Sequence, residues 1–155
     1  AKSLYLPEVV SLTAGTAVTD GSGGSLNYNK GTIKLGSKIS TLPTATFGKH
    51  RSIDPRTLCI DLSESVLVTE LIKGVFRQHT MLQSILLPPN LEVIREGAFI
   101  DISTEFTMEI PLSVQTIEPG AFSKCPNMRL KAPSHLQSQN VEDRWGISNE
   151  NITWY

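Results

Sequence analysis

The chain has 155 residues, 14 of them Lys or Arg and 15 Asp or Glu. That is the length of one domain, with a charge balance that makes no field for nucleic acid or an anionic membrane. Charged residues are only 19% of the whole, and no apolar run approaches the ~20 residues that cross a bilayer as a helix. Nothing in the overall charge demands a polyanionic partner, and no transmembrane helix is predicted.

Six short strands are predicted in chain order, each an apolar-x-apolar triplet followed by a turn residue. They are Leu4-Tyr5-Leu6-Pro7, Ile33-Lys34-Leu35-Gly36, Ile60-Asp61-Leu62-Ser63, Ile85-Leu86-Leu87-Pro88, Met108-Glu109-Ile110-Pro111 and Leu130-Lys131-Ala132-Pro133. Their starts lie 29, 27, 25, 23 and 22 residues apart, so the period tightens toward the C-terminal end. Strand side chains alternate faces, which sends the flanking apolar pair one way and the middle residue the other. Pro, with no N–H to donate, then stops the strand.

Between the strands runs a second phrase, an apolar residue followed five positions later by Phe. It occurs at Leu42–Phe47, Leu71–Phe76, Ile94–Phe99 and Ile117–Phe122, with a faint copy at Thr13–Val18. The last two Phe copies are nearly identical. Ile94-Arg95-Glu96-Gly97-Ala98-Phe99 recurs 23 residues on as Ile117-Glu118-Pro119-Gly120-Ala121-Phe122. A fixed period in this range predicts a stacked solenoid. The Gly-Ala-Phe stretch predicts a tight helical or 3₁₀ turn that drops Phe47, Phe76, Phe99 and Phe122 into one stacked column.

The remaining segments follow from this frame. Residues 13–32, with Asp20-Gly21-Ser22-Gly23-Gly24-Ser25, read as a flexible loop or wide hairpin. Residues 137–155 leave the repeat and carry Trp145, Ile147, Ile152, Trp154 and Tyr155. They read as a C-terminal cap, with a turn around 142–145 and a strand over 152–155, because a solenoid end exposes core that must be covered. No comparable cap precedes Leu4. A bare strand edge invites pairing, so either sequence precedes this chain or copies associate through that end. The start at Ala1 fits a removed signal peptide or a trimmed chain.

The pattern Ile-Pro-x-x-Val-x-x-Ile-x-x-Gly-Ala-Phe-x-x-Cys resembles the BspA-like leucine-rich-repeat family of bacterial surface proteins. Ile110, Pro111, Val114, Ile117, Gly120, Ala121, Phe122 and Cys125 carry it. Residues 87–99 match as far as the Phe and then depart at Asp101 and Ile102. The resemblance implies an α/β solenoid: a right-handed leucine-rich-repeat superhelix with a short parallel sheet of about six rungs. Residues 1–136 would form it, degenerate over 1–57 and regular over 58–136, with 137–155 as the cap. It further implies a secreted or cell-surface location, a protein-binding, adhesin-like role and no catalytic residues. It makes Cys125 a small buried packing residue.

Chemistry finds little support elsewhere. Gly31–Lys38 imitates a phosphate-binding loop, but Ser37 precedes Lys38 and a predicted strand occupies the loop. His50, His79 and His135 have no metal-ligand spacing with one another or with the cysteines. Cys59 and Cys125 lie two repeats apart, and at ~4.8 Å per strand that exceeds the ~7 Å reach of a disulfide, so both are expected as thiols. Cys59 and His79 fall on different faces, and Asp61 and Glu109 stand two rungs apart with no pocket between them. Neither enzyme, cofactor nor metal site is predicted. Asn151-Ile152-Thr153 is a glycosylation sequon that matters only in a eukaryotic secretory pathway.

The predicted site is the concave sheet face. In register, the middle residues Tyr5, Lys34, Asp61, Leu86, Glu109 and Lys131 form one outward column. A second column is Ser3, Thr32, Cys59, Ser84, Thr107 and Arg129. Mixed charge with an exposed Leu and Tyr suits a protein or peptide partner better than a polyanion, which would select repeated Lys or Arg. The bases of residues 30–56 against the nine acids of residues 57–118 predict a positive end and a negative middle. The alternative function is self-assembly, as a homo-oligomer, through the uncapped N-terminal edge.

Overall fold

The computed structural model describes residues 4–9, 31–43, 46–47, 58–78 and 82–155. Residues 13–30, with the faint repeat and the Gly-Ser stretch, lie outside these, as do Ser3, His50 and His79. Among the described residues ten strands are present, all in parallel pairs. They are β1 Leu4–Leu6, β2 Thr32–Leu35, β3 Cys59–Asp61, β4 Glu70–Leu71, β5 Ser84–Leu86, β6 Val93–Ile94, β7 Phe106–Glu109, β8 Thr116–Ile117, β9 Met128–Ala132 and β10 Ile152–Trp154. Each regular repeat thus places two strands in two rows, joined by turns.

The predicted triplets form the front row, and the register is the one that alternation requires. Ile33 pairs with Ile60 and Ile60 with Ile85, while Met108 pairs with Leu130 and Leu130 with Ile152. All of these but Ile152 are at most 3% exposed, and Ile152 is at 8%. The front row is nevertheless not one sheet. It divides into β1-β2-β3-β5 and β7-β9-β10. The residue before the shared register changes at this boundary. It is Gly31, Leu58 and Gln83 in the first sheet, where Gln83 is exposed, and the buried Phe106 and Met128 in the second. At this position β7 is anchored in the core by a side chain and β5 is not.

The back row β4-β6-β8 was not foreseen. Its members are two residues long and end at the Leu71, Ile94 and Ile117 positions of the Phe phrase. Behind them come turns. The helical component of the expected α/β class is absent among the described residues, where connections are turns and 3₁₀ segments. The backbone reverses too soon for a helix, with positive φ at Gly97 (68°) and Gly120 (77°) and again at Asp101 and Lys124 (58° each). Glycine meets the first requirement without steric cost.

The column of rings is as predicted. Phe47–Phe76, Phe76–Phe99 and Phe99–Phe122 stack at 5.2, 5.0 and 5.0 Å between centroids. Backbone bonds run along the same row, from Phe76 N to Ala98 O and from Phe99 N to Ala121 O, both 2.9 Å. The edge joining the two rows is fastened by side chains three residues after each front triplet's last residue. Ser65 Oγ donates to Gly36 O at 3.1 Å, Asn90 Nδ2 to Val66 O at 3.0 Å and Ser113 Oγ to Leu91 O at 2.7 Å. His135 holds the same position, with Nε2 at 2.7 Å from Val114 O.

The C-terminal segment continues the pattern more closely than its sequence suggests. Phe122 N donates to Trp145 O at 2.8 Å, and the Trp145 ring lies 6.4 Å from Phe122 and 6.0 Å from Trp154. β10 adds a strand to β9. A 3₁₀ segment over Ser134–Asp143, interrupted at Asn140–Glu142, lies against β8. There the Gln139 side chain substitutes for a further strand. Its Oε1 accepts from Ile117 N at 2.9 Å and its Nε2 donates to Gln115 O at 2.8 Å. Asn140, fully buried, accepts from Trp145 N at 2.8 Å and donates to Ile147 O at 3.2 Å.

Candidate functional site

The six predicted site residues fall into cross-strand register. Tyr5 pairs with Lys34, Lys34 with Asp61 and Asp61 with Leu86, while Glu109 pairs with Lys131. Thr153 on β10 lengthens the second run. In the neighbouring column Thr32, Cys59 and Ser84 align, as do Thr107 and Arg129. Tyr5 and Leu86 are each 49% exposed, so this face carries apolar surface of the kind that marks contact sites.

The two halves of the face differ electrostatically. In the first half the charges are matched within the chain. Lys34 Nζ sits 3.0 Å from Glu64 and 3.9 Å from Asp61. Tyr5 Oη donates to Glu64 Oε2 at 2.6 Å, and Lys34 Nζ lies 5.4 Å from the Tyr5 ring centroid. Ser63 N and Oγ donate to Asp61 Oδ1 at 2.9 and 2.6 Å. The hydrogen bonds from Tyr5 and Lys34 hold the Glu64 carboxyl below its usual range. The bond to Glu64 in turn raises the Tyr5 phenol and the Lys34 ammonium. Glu64 lies outside the strand triplets, which is why alternation alone did not find it. The expected contrast between a positive end and a negative middle is thereby partly cancelled where the two meet.

The second half is open. Among the described residues no ion pair engages Glu109 or Lys131. A groove of about 670 Å³ runs along the division of the front row, lined by Ser84, Leu86, Leu87, Thr107, Glu109 and Lys131, with Pro111 at its end. Asp61 and Glu109 stand on opposite sides of this division.

The back row carries its own charge cluster. Arg95 Nε reaches Glu70 Oε1 at 2.6 Å and Arg95 Nη1 reaches Glu118 Oε1 at 2.8 Å, so one guanidinium spans three rungs. Arg95 and then the Glu96 N–H hold the Glu118 carboxyl below its usual range. Every member is exposed or half-exposed, and its geometry is that of a fastening between rungs.

The two cysteines are free thiols. Cys59 is partly exposed, with Sγ 2.9 Å from Ser84 Oγ. Cys125 is 2% exposed, its Sγ donates to Phe99 O at 2.8 Å, and burial pushes its pKa up to about 11. That places it in the packing role the family resemblance implied and makes it a poor nucleophile. Among the described residues no cluster of three or more His, Cys, Asp or Glu could hold a metal ion. No described helix is long and apolar enough to cross a membrane.

A repeat of paired strand rows around a ring column has a match among known families. The pattern of the BspA type leucine-rich-repeat region fits residues 26–129 in six copies, about two thirds of the chain. The chain belongs to the BspA-type leucine-rich-repeat family. The matched stretch begins well before Leu58 and so takes in part of the region where the repeat phrase is weak. No curated protein and no solved structure matches the chain. BspA-type repeats are generally non-catalytic, typically surface-associated and suited to protein interaction.

Proposed function

We propose that this BspA-type chain is a non-catalytic, secreted or cell-surface binding module, adhesin-like, that recognises a protein partner on its concave sheet face. In this reading residues 1–136 form a right-handed superhelix of about six rungs and residues 137–155 cap it. The contact column is Tyr5, Lys34, Asp61, Leu86, Glu109 and Lys131. One observation carries the reading. These six side chains line up on the face opposite the core, and they combine two half-exposed apolar groups with charges of both signs. Interfaces are built this way, with apolar anchors inside a charged surround.

The test is binding of the purified chain to a panel of purified extracellular proteins. Asp61→Lys and Glu109→Lys are expected to weaken any positive interaction at least tenfold without altering the solution mass. Equal binding by parent and both variants would sink the concave-face reading.

A second reading has its own support. Among the described residues no strand pairs with the outer edge of β1, and an unpaired edge is a template for another chain. Here the function is self-assembly. Light scattering across concentrations would give a mass that rises and then falls on deletion of residues 1–10. A constant monomer mass removes this alternative.

A further inference from the structure

The edge that joins the two rows carries apolar side chains that the core does not use. One backbone bond closes the turn in each rung. Val68 N donates to Ser65 O and Leu91 N to Pro88 O, both at 3.2 Å, Val114 N to Pro111 O at 3.1 Å and Leu136 N to Pro133 O at 3.0 Å. Val68 lies six places after Leu62, where Leu91 and Val114 lie four after Leu87 and Ile110, so the turns align from their closing ends. That alignment sets Val66, Pro89, Leu112 and Ser134 at one position of successive rungs. Side-chain bonds give the same order, since Asn90 Nδ2 donates to Val66 O and Ser113 Oγ to Pro89 O, both at 3.0 Å. Val66 is 41% exposed, its neighbour Leu67 53% and Leu112 67%, and Pro89 between them is exposed as well. Three successive rungs thus present one apolar stripe, of the contiguous kind that marks a contact site.

Carboxylates border the stripe on both sides. Glu64 stands toward the concave face, where it meets Tyr5 and Lys34. Glu92 stands toward the back row, its N–H bonded to Thr69 O, and among the described residues no ion pair engages it. A second copy fits such a border poorly. A two-fold axis along the stripe sets Glu64 against Glu92, and one across it sets each against its own counterpart, so either brings carboxylates together. Spacing selects the shape of the occupant. The rings of these three rungs repeat at 5.0 Å, and one turn of α-helix advances ~5.4 Å. Strand side chains on one face recur only every ~6.8 Å, which loses step by the third rung. We propose that the stripe receives an amphipathic helix of a partner protein, laid along the solenoid axis. One aliphatic residue per turn packs against Val66, Pro89 and Leu112, and basic residues on the helix flanks face Glu64 and Glu92. The stripe is a surface apart from the concave column and goes beyond the reading given for it.

The experiment is selection on the whole chain from a display library of single helices randomised along one face, with the enriched helix then mapped by amide chemical shifts. The expected consensus has aliphatic residues at i, i+3 or i+4, and i+7, with Lys or Arg beside them, and shifts concentrate at Val66, Leu67, Asn90 and Leu112. Leu112→Asp should bind roughly tenfold more weakly, as an apolar anchor does, with an unchanged melting curve because its side chain is exposed. Glu92→Lys should weaken binding about threefold, the scale of one exposed ion pair. Equal binding by the parent and Leu112→Asp overturns the stripe. An acidic consensus, or full binding by Glu92→Lys, overturns the basic partner. Shifts centred on Leu86, Glu109 and Lys131 move the helix to the concave face and overturn the stripe while leaving that face as a binding surface. A solution mass that doubles with concentration and reverts on Leu112→Asp gives the stripe to a second copy and overturns the helix. Failure to enrich any helix overturns it too and leaves the concave face to the whole-protein panel.

Discussion

The front and back of this solenoid are made by the same repeats and are joined differently. At the back, ring stacks at 5.0–5.2 Å, a continuous two-residue ladder and the Arg95 cluster fasten successive rungs without a break. At the front, the ladder stops between β5 and β7. The column and the back row are continuous where the front is interrupted. Breaking a ring should therefore cost far more than altering the front face.

The largest effect is expected for Phe99→Ala. Phe99 is fully buried between two stacked neighbours, and truncating a buried Phe costs ~3–5 kcal/mol. Urea unfolding should show the midpoint fall in proportion. A variant that unfolds like the parent would falsify the view that the column dominates.

The next test lies at the end of the column. Asn140→Ala leaves Trp145 N, bonded to Asn140 Oδ1 at 2.8 Å, without its partner inside the core. An orphaned buried donor costs ~1–3 kcal/mol. Near-UV circular dichroism should also lose part of the Trp145 signal, since this amide positions the ring. A loss confined to stability, with the Trp signal intact, would assign Asn140 a packing role only.

These two sites show what the sequence reveals and what it conceals. Phe99 was legible because its phrase repeats and only one geometry stacks a ring at fixed period. The outward column was legible because alternation needs nothing beyond the triplets. The back row was concealed, since a two-residue strand has no periodicity of its own. So were Gln139 and Asn140, which sit among Ser, Gln and Glu residues that look like a solvated turn. One covers the β8 edge with its amide and the other is buried with its bonds met. The break in the front row has the faintest signature. It coincides with a change from exposed Gln83 to buried Phe106, a contrast that is visible only once the register is known.

A smaller effect separates the two charge clusters by pH. Glu64 is held down by Tyr5 and Lys34, and Glu118 by Arg95 and the Glu96 N–H. A carboxyl whose folded pKa is depressed contributes stability above its unfolded value, near 4.5 for Glu. That contribution is lost as pH falls through the folded value. Glu64 is exposed and Glu118 half-exposed, so water screens the gain. Melting temperature should decline below pH 4.5, and Glu118→Gln should flatten the decline. Glu64→Gln should do so less, because Glu64 fastens the front rather than the continuous back. Equal flattening by both would remove the distinction between the faces in charge, though not in packing.

The smallest expected effect is the most telling. Leu86→Arg changes a half-exposed residue at the rim of the groove, where no partner ring or ladder bond depends on its side chain. Surface substitutions of this kind stay within about 0.5 kcal/mol, so its urea midpoint should match the parent's. A stable, well-folded Leu86→Arg variant shows that this rung's outward residue was never selected for holding the fold. A drop as large as that of Asn140→Ala would mean Leu86 bridges the gap between β5 and β7. The front would then be closed by side chains where the ladder fails, and its groove would be a seam in the packing instead of a place for a ligand.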